Sequence, residues 1–127
     1  MADLGTALKT ILRADVDLAA LVGTRVYPFP LRQTPVLPDV TYQRVSGARD
    51  ALLGVGKPRY QFTAWSESYL EARDVAQAVD DCIQRYKGTS EGVLIISATV
   101  VNDVDIFDAE TGRHTCSVDV MLKYWED

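Results

Sequence analysis

Cysteine and histidine are scarce in this 127-residue sequence, which contains two cysteines, Cys82 and Cys116, and one histidine, His114. Without a CxxC motif or a cluster of histidines and cysteines, the chain has too few ligands for a structural zinc site. A disulfide is possible on number alone, but nothing in the sequence indicates an oxidising compartment. Each cysteine falls in the apolar row of its predicted helix or strand, so we expect both thiols to be buried and reduced.

Long apolar runs and clusters of basic residues are also lacking. The longest uncharged stretch, Gly92–Asn102, is about half of the ~20 residues that a membrane-spanning helix needs. The first residues, Met1–Leu4, include an acid where a signal peptide carries basic residues. Thirteen basic and eighteen acidic residues give a net charge of −5, which disfavours tight binding to phosphate backbones or anionic lipid. We therefore expect a soluble protein that is made inside the cell and does not attach to a membrane.

The composition is otherwise that of an ordinary globular protein, with 47% apolar and 24% charged residues. A chain of this length is typical of one domain and can bury a core without covalent cross-links. No repeat or low-complexity segment divides the sequence. We expect residues 1–127 to form a single domain.

The N-terminal segment Leu4–Val22 has apolar residues at helical spacing and is predicted to be helical. Asp15 interrupts it and is expected to cap a second, shorter helix. Gly23 should end that helix, because glycine adopts the left-handed conformation readily.

The clearest element in the sequence is a helix over Tyr69–Tyr86, where one apolar stripe runs along a face that is otherwise polar. Ser68 and Glu71 form a capping-box pattern at its start. Gly88 is expected to stop it.

Alternating apolar and polar residues, rich in β-branched side chains, predict strands elsewhere in the chain. The predicted strands are Val40–Ser46, Arg59–Trp65, Val93–Val101, Val104–Phe107 and His114–Trp125. The segment before them, from Arg25 to Pro38, contains four prolines and allows at most an edge strand at Arg25–Tyr27. Together the elements predict an α+β fold: an antiparallel or mixed sheet with an N-terminal helix and one long central helix packed on one face.

Two sequence patterns partly match known ligand-binding motifs, but each lacks residues that its motif requires. Leu53–Lys57 resembles a phosphate-binding loop, but Ala51 stands at the first glycine position and Pro58 replaces the Ser or Thr. A flexible glycine loop is the better interpretation. Asp103, Asp105 and Asp108, with Glu110 nearby, suggest calcium, but the ligand and glycine positions of a calcium loop are not matched. Two interpretations stay open: these carboxylates form a weak surface cation site, or they are simply solvated.

His114 lacks a nucleophile in a suitable sequence context. Cys116, two residues away on the same strand, points to the same side without being positioned for proton transfer. We expect no catalytic residue, no cofactor and no metal.

The segment Gly47–Pro58 reads as a twelve-residue loop with apolar residues in its middle. A loop of this length without structure of its own is usually functional or disordered. Exposed leucines would suit an interface with another protein, whereas the alternative is that they fold back over the core. The candidate protein–protein interface residues are Arg49, Ala51, Leu52, Leu53 and Val55.

Several stretches, taken in order, resemble the small tail-completion or tail-terminator proteins of tailed bacteriophages and prophages. They are Leu18–Gly23 with Arg25–Pro28, Leu37–Pro38 with Val40–Gly47, Tyr60–Trp65 leading into Tyr69–Arg73, and Asp105–Asp108 with Glu110–Gly112. The resemblance extends from about Leu4 to Tyr124. Asp39 departs from it, since the family pattern expects an apolar or aromatic residue there.

The resemblance implies structural work without catalysis. Such proteins form rings, generally hexameric, that cap the head-proximal end of the tail tube, stop tail elongation and join the tail to the head. The implied partners are further copies of the chain, the major tail-tube protein and a head-neck stopper or connector protein, and double-stranded DNA passes through without specific binding. The implied location is the tail-neck junction of a virion assembled in the bacterial cytoplasm.

Two alternatives accompany this expectation. One is another neck ring, a stopper or connector component, which differs from a terminator only in its partner. The other is a small enzyme or ligand-binding domain that uses the Gly47–Pro58 loop together with the carboxylates of Asp103–Glu110.

Overall fold

The computed structural model describes residues 4–30, 36–47, 49–50 and 55–126, with the backbone alone for residues 49, 50, 55 and 126. The helices are α1 (Leu4–Ala14), α2 (Val16–Val22) and α3 (Tyr69–Ile83). The strands are β1 (Val26–Pro28), β2 (Asp39–Ser46), β3 (Arg49–Asp50), β4 (Val55–Gly56), β5 (Arg59–Ser66), β6 (Gly88–Ser90), β7 (Val93–Asp108) and β8 (Arg113–Glu126).

Strand β8 is the centre of the sheet. It pairs with β7 along one side and with β5 and β4 along the other, always antiparallel. Beyond β5 lie β2 and then β1, and β6 pairs with the start of β7. Because β1 runs parallel to β2, the sheet is mixed. The long helix α3 packs on β5 and β8, and α1 and α2 pack beside it, which confirms the predicted α+β fold.

The N-terminal helices follow the sequence prediction closely. The Asp15 carboxylate accepts a hydrogen bond from the Leu18 N–H at 2.9 Å and so caps α2. Gly23 has φ of 62° and its N–H donates to the Ala19 carbonyl at 2.8 Å. The expected left-handed stop after Val22 is therefore confirmed.

The central helix begins as predicted but ends earlier. The Ser68 hydroxyl accepts from the Glu71 N–H at 3.4 Å, while the Glu71 carboxylate accepts from the Ser66 hydroxyl at 2.6 Å. The helix ends at Ile83 instead of Tyr86, because the backbone turns at Arg85 (φ 64°) and its N–H donates to the Ala98 carbonyl of β7.

Three strand predictions need correction. Val93–Val101 and Val104–Phe107 are one strand, β7, since β8 pairs with it across the whole length and small bulges absorb the irregular stretch. Gly88 starts the short strand β6, where a helix stop was expected. The predicted loop Gly47–Pro58 contains two strands, because Arg49–Asp50 pairs with Val55–Gly56 and prolongs the β2–β5 hairpin.

Side chains of β8 alternate between the two faces of the sheet as predicted. Cys116, Val118, Val120 and Leu122 face the helices and are almost fully buried. They pack with the apolar faces of the helices and with inward side chains of β5 such as Phe62. Burial of this row and of the helix stripes supplies the hydrophobic core.

Candidate functional site: the open face of the sheet

The face of the sheet that points away from the helices is open and carries a polar floor. Thr63 and Ser117 lie opposite each other in the β5–β8 ladder, and their hydroxyl oxygens are 3.1 Å apart. The Gln43 amide donates to the Gln61 side-chain oxygen at 3.2 Å. At the margin, the Trp65 indole donates to the Thr41 hydroxyl at 2.9 Å. These bonds hold short polar side chains flat against the strands, where they are largely buried although none of the described elements covers them.

One ion pair fixes the charged part of this floor. Asp119 is 7% exposed and accepts hydrogen bonds from the guanidinium of Arg59 and, at 3.0 Å, from the Gln61 amide. Arg59 is partly exposed, so the carboxylate is the more deeply buried member of the pair. A buried carboxylate with two donors is stable where an unpaired one would be costly.

A groove of about 510 Å³ lies on this floor, between the β1–β2 edge and the end of the β7–β8 hairpin. Phe29 and Trp65 form one wall, and Ile106 and Phe107 the other. Phe29, Ile106 and Phe107 are about half exposed. A polar floor between exposed aromatic and aliphatic walls suits contact with another protein chain better than contact with solvent.

A second, smaller groove of about 200 Å³ lies further along the same face. Lys57 and Lys123 line it together with Ser97, Thr99 and Met121. Beyond it, Leu94 and Trp125 face each other across β7 and β8, and both are exposed. We call the groove lined by Lys57, Lys123, Ser97, Thr99 and Met121 the lysine groove.

The interface residues predicted from the sequence lie at the end of the β2–β5 hairpin. The backbones of Arg49 and Val55 belong to β3 and β4. Ala51, Leu52 and Leu53 lie outside the described residues, and so do the side chains of Arg49 and Val55. The five residues therefore remain a hypothesis, attached to a hairpin whose base is described.

At the base of this hairpin, Gly56 is required by close packing and not by backbone flexibility. It pairs with Tyr124 of β8, and a Cβ atom at this position would lie 2.2 Å from the Tyr124 ring. The close approach of ring and backbone requires that no side chain be present.

The carboxylates considered for calcium are engaged with neighbouring groups of the protein. Arg73 of α3 contacts Asp103 at 3.5 Å and Asp105 at 3.0 Å, and the Tyr69 hydroxyl donates to Asp105 at 2.9 Å. Asp108 accepts from the Glu110 N–H and the Thr111 hydroxyl and so closes the β7–β8 turn. Within the described part of the chain, no group of three or more His, Cys, Asp or Glu residues is placed to hold a metal.

The electrostatics of this cluster follow from the same contacts. Although desolvation acts to raise it, the pKa of Asp105 is lowered by hydrogen bonds from Cys116, Tyr69 and Arg73. The hydrogen bond to Asp105 in turn raises the pKa of Tyr69. His114 packs at the edge of this cluster, with its ring centre 4.7 Å from that of Phe107 in a tilted arrangement and 5.8 Å from that of Tyr69 in an edge-to-face arrangement. The contacts of this cluster stabilise the packing of the end of the β7–β8 hairpin on α3.

The described residues place the Gly47–Pro58 segment and the Asp103–Glu110 carboxylates apart along β8. Gly56 pairs with β8 at Tyr124, whereas Asp103, Asp105 and Asp108 pair with it at Val118, Cys116 and Arg113. Along an extended strand these positions lie roughly 20–35 Å from Tyr124. One ligand site that uses both segments stays a hypothesis, since residues 51–54 lie outside the described residues.

The two thiols are free, and their burial differs. Cys116 is fully buried, as predicted, while Cys82 is only half-buried and donates weakly to the Ile11 carbonyl at 3.8 Å. Desolvation raises the pKa of each thiol from 9.0 to about 11, and a hydrogen bond to Asp105 adds to this for Cys116. Both are poor nucleophiles at neutral pH.

The sequence did not single out the grooves of the open face. Phe29 lies in the proline-rich segment Arg25–Pro38, whereas Ile106 and Phe107 lie in the predicted strand Val104–Phe107, and no local pattern joins the two. One sequence feature could have indicated the open face: small hydroxyl and amide residues occupy corresponding positions on neighbouring strands, so that the polar surface extends across several strands.

Fold and site together define an α+β protein with two grooves on the open face of its sheet. Among the described helices, none combines the length and hydropathy needed to span a membrane. Over residues 6–124 the sequence matches the family described as "Tail completion protein gp17", and the chain belongs to this family. It is therefore a structural tail protein of a phage-type virion.

A solved structure supports the fold independently. A chain from the structure titled "Virion of native gene transfer agent (GTA) particle" is similar, with a TM-score of 0.79 and 20% sequence identity. The similarity covers 95% of this chain and 93% of that one. No curated protein matches the sequence significantly.

Proposed function

We propose that this chain assembles into a ring, a hexamer in the virion, that caps the head-proximal end of the tail tube. The ring stops the addition of further tube subunits and offers the surface to which the head docks. The observation that carries the proposal is the family match across nearly the whole chain. Its location would be the tail-neck junction, after assembly in the bacterial cytoplasm, with residues 1–127 acting as one domain.

Such a ring needs two different surfaces on each subunit. A heterologous interface joins one face of a subunit to another face of its neighbour, and it closes when the rotation between subunits completes a circle. The open sheet face carries two grooves, whereas α1, α2 and α3 cover the other face of this fold. This division supports the proposal, because each subunit then has one surface of each kind.

The proposed partners besides further copies are the major tail-tube protein and a head-neck stopper or connector protein. Double-stranded DNA passes through the ring without specific binding. The net charge of −5 supports this point, since an acidic subunit disfavours tight contact with phosphates.

We further propose that the end of the β2–β5 hairpin, with Arg49, Ala51, Leu52, Leu53 and Val55, contributes to contacts with neighbours. In the double variant L52D/L53D, the added carboxylates would face apolar partner surface, where an unpaired charge is unfavourable. We expect a folded protein, abnormally long tails and unjoined full heads. The same phenotype is expected when the gene is deleted.

The matched control for this variant is T24D/T111D, which adds two carboxylates at exposed positions at the opposite end of the sheet from the hairpin. It should leave tail length and head joining unchanged. Tail lengths are measured by electron microscopy of purified particles, and folding by thermal unfolding of both variants. Tails of normal length in the deletion strain would contradict the capping function. Normal tails with a folded L52D/L53D protein would contradict only the role of the hairpin.

A terminator and another neck ring differ in the structure that they bind first. The purified protein is therefore mixed with isolated tail tubes and, separately, with filled heads that lack tails. A terminator should co-sediment with the tubes. Binding to the heads alone would instead assign the chain to a stopper or connector ring.

A further inference from the structure

On the open sheet face, the lysine groove combines positive charge with exposed apolar surface. Its lining, made entirely of described residues, contains two lysines and no carboxylate, in a chain with an acidic net charge. Met121 is 39% exposed beside the lysines, and Leu94 and Trp125 extend the apolar area. A partner for this surface should therefore present carboxylates next to an apolar contact.

A surface of that description exists on the opposite side of the same subunit. Helices α2 and α3 meet around a depression of about 260 Å³ that is lined by Asp15, Asp17, Asp74 and Asp81. No lysine or arginine is among the residues that line it. Val16, between two of these aspartates in the chain, projects with 80% of its surface exposed. We call this area the aspartate surface.

We propose that the lysine groove of one subunit receives the aspartate surface of a second copy of the chain. The two surfaces have opposite charge, and an exposed apolar residue accompanies each of them. Because they lie on opposite faces of the subunit, the contact is heterologous and repeats from one copy to the next. This inference rests on the proposed ring and identifies the surfaces that close it.

Charge complementarity also explains why an acidic protein would associate with itself. Like charges across an interface are strongly unfavourable, so an acidic subunit must present its basic residues where a neighbour is most acidic. Lys57 and Lys123 meet that requirement.

A charge-swap experiment tests the proposal. The variant K57E/K123E makes both surfaces acidic. The variant D17K/D74K/D81K makes both basic, because three lysines outweigh the remaining Asp15, which is kept as the cap of α2. Neither variant should assemble alone. When the two variants are produced together, every contact in an alternating ring is again between opposite charges. The chain carrying all five substitutions should likewise assemble by itself.

The readout is the amount of each variant in purified particles, measured by mass spectrometry, with folding checked by thermal unfolding. Each variant alone should enter particles at least about tenfold less than the wild type, since like-charge contacts are costly. Co-production should restore incorporation, with the two variants in equal amounts. The controls K9E/K87E and E67K/E91K/E110K make the same number of charge changes at other positions and should assemble normally.

Normal incorporation of K57E/K123E alone would overturn the proposal. Failure of the folded mixture and of the fivefold variant would overturn it as well, and would assign the lysines to another component of the virion. Neither result touches the capping function, which is tested separately by tail length in the deletion strain. A deletion strain with normal tails, combined with a successful charge swap, would keep the interface and reject the function.

Discussion

The two rows of side chains on β8 share one backbone and differ in what covers them. Val118 and Val120 in the helix-facing row are buried under α3, and their contribution is the hydrophobic core. Ser117 and Asp119 in the other row are almost as inaccessible, yet no described helix lies over them; neighbouring strands and polar contacts bury them. Burial on this sheet therefore arises in two ways. Among the described elements, only the open face of the sheet is left without a layer of helices.

The largest effect is expected when a charge is placed in the helix-facing row. Val120→Asp puts an unpaired carboxylate in the core and should lower the free energy of unfolding by about 3–5 kcal/mol. The neighbouring Met121→Asp places the same group on the open face and should change it by less than about 0.5 kcal/mol. Chemical denaturation of both variants measures the difference. Similar losses for the two would show that the open face is also packed core.

A smaller effect is expected from the polar floor. Asp119→Asn removes the charge that accepts from Arg59 and Gln61, and should cost about 1–2 kcal/mol, since Arg59 retains some contact with solvent. In a double-mutant cycle with Arg59→Gln, the combined loss should be smaller than the sum of the single losses. Strict additivity would mean that the two side chains do not stabilise each other.

A substitution at the base of the β2–β5 hairpin tests the packing at the far end of β8. Gly56→Ala should cost about 1–3 kcal/mol, because the new methyl group meets the ring of Tyr124. Together with Tyr124→Ala, the same substitution should cost much less, as the ring is gone. An unchanged thermal stability of Gly56→Ala would mean that the ring moves aside freely.

The smallest effect concerns the thiols. With their pKa values raised from 9.0 to about 11, both cysteines should react slowly with a thiol reagent at pH 8, and Cys116 more slowly than the half-buried Cys82. Because the folded state favours the protonated thiols, their stabilising effect is complete below pH 9 and is lost as the pH rises towards 11. Rapid labelling of Cys116 in the folded protein, detected by mass spectrometry, would contradict its burial.

The elements that could be predicted from the sequence are those with a complete local signal. The caps Asp15 and Ser68, the stop at Gly23 and the alternation in β8 each depend on residues close in the chain. The early end of α3 could not be predicted, because it depends on the Ala98 carbonyl of a strand that comes later. In the same way, β7 is one strand only because β8 pairs with all of it.

The site was harder to predict than the fold. Its grooves arise where distant segments meet, such as Phe29 with Ile106, or Lys57 with Lys123. No local pattern indicates that these residues are neighbours. The predicted hairpin residues Leu52 and Leu53 remain a hypothesis, since apolar residues in a loop can serve either a core or an interface.

The central claim is that this chain forms a ring at the head-proximal end of the tail, and electron cryo-microscopy of intact particles tests it most directly. We predict six copies around the tail axis at the junction with the head, each with its open sheet face against the helices of the next copy. A single copy, or copies away from the tail axis, would contradict the account.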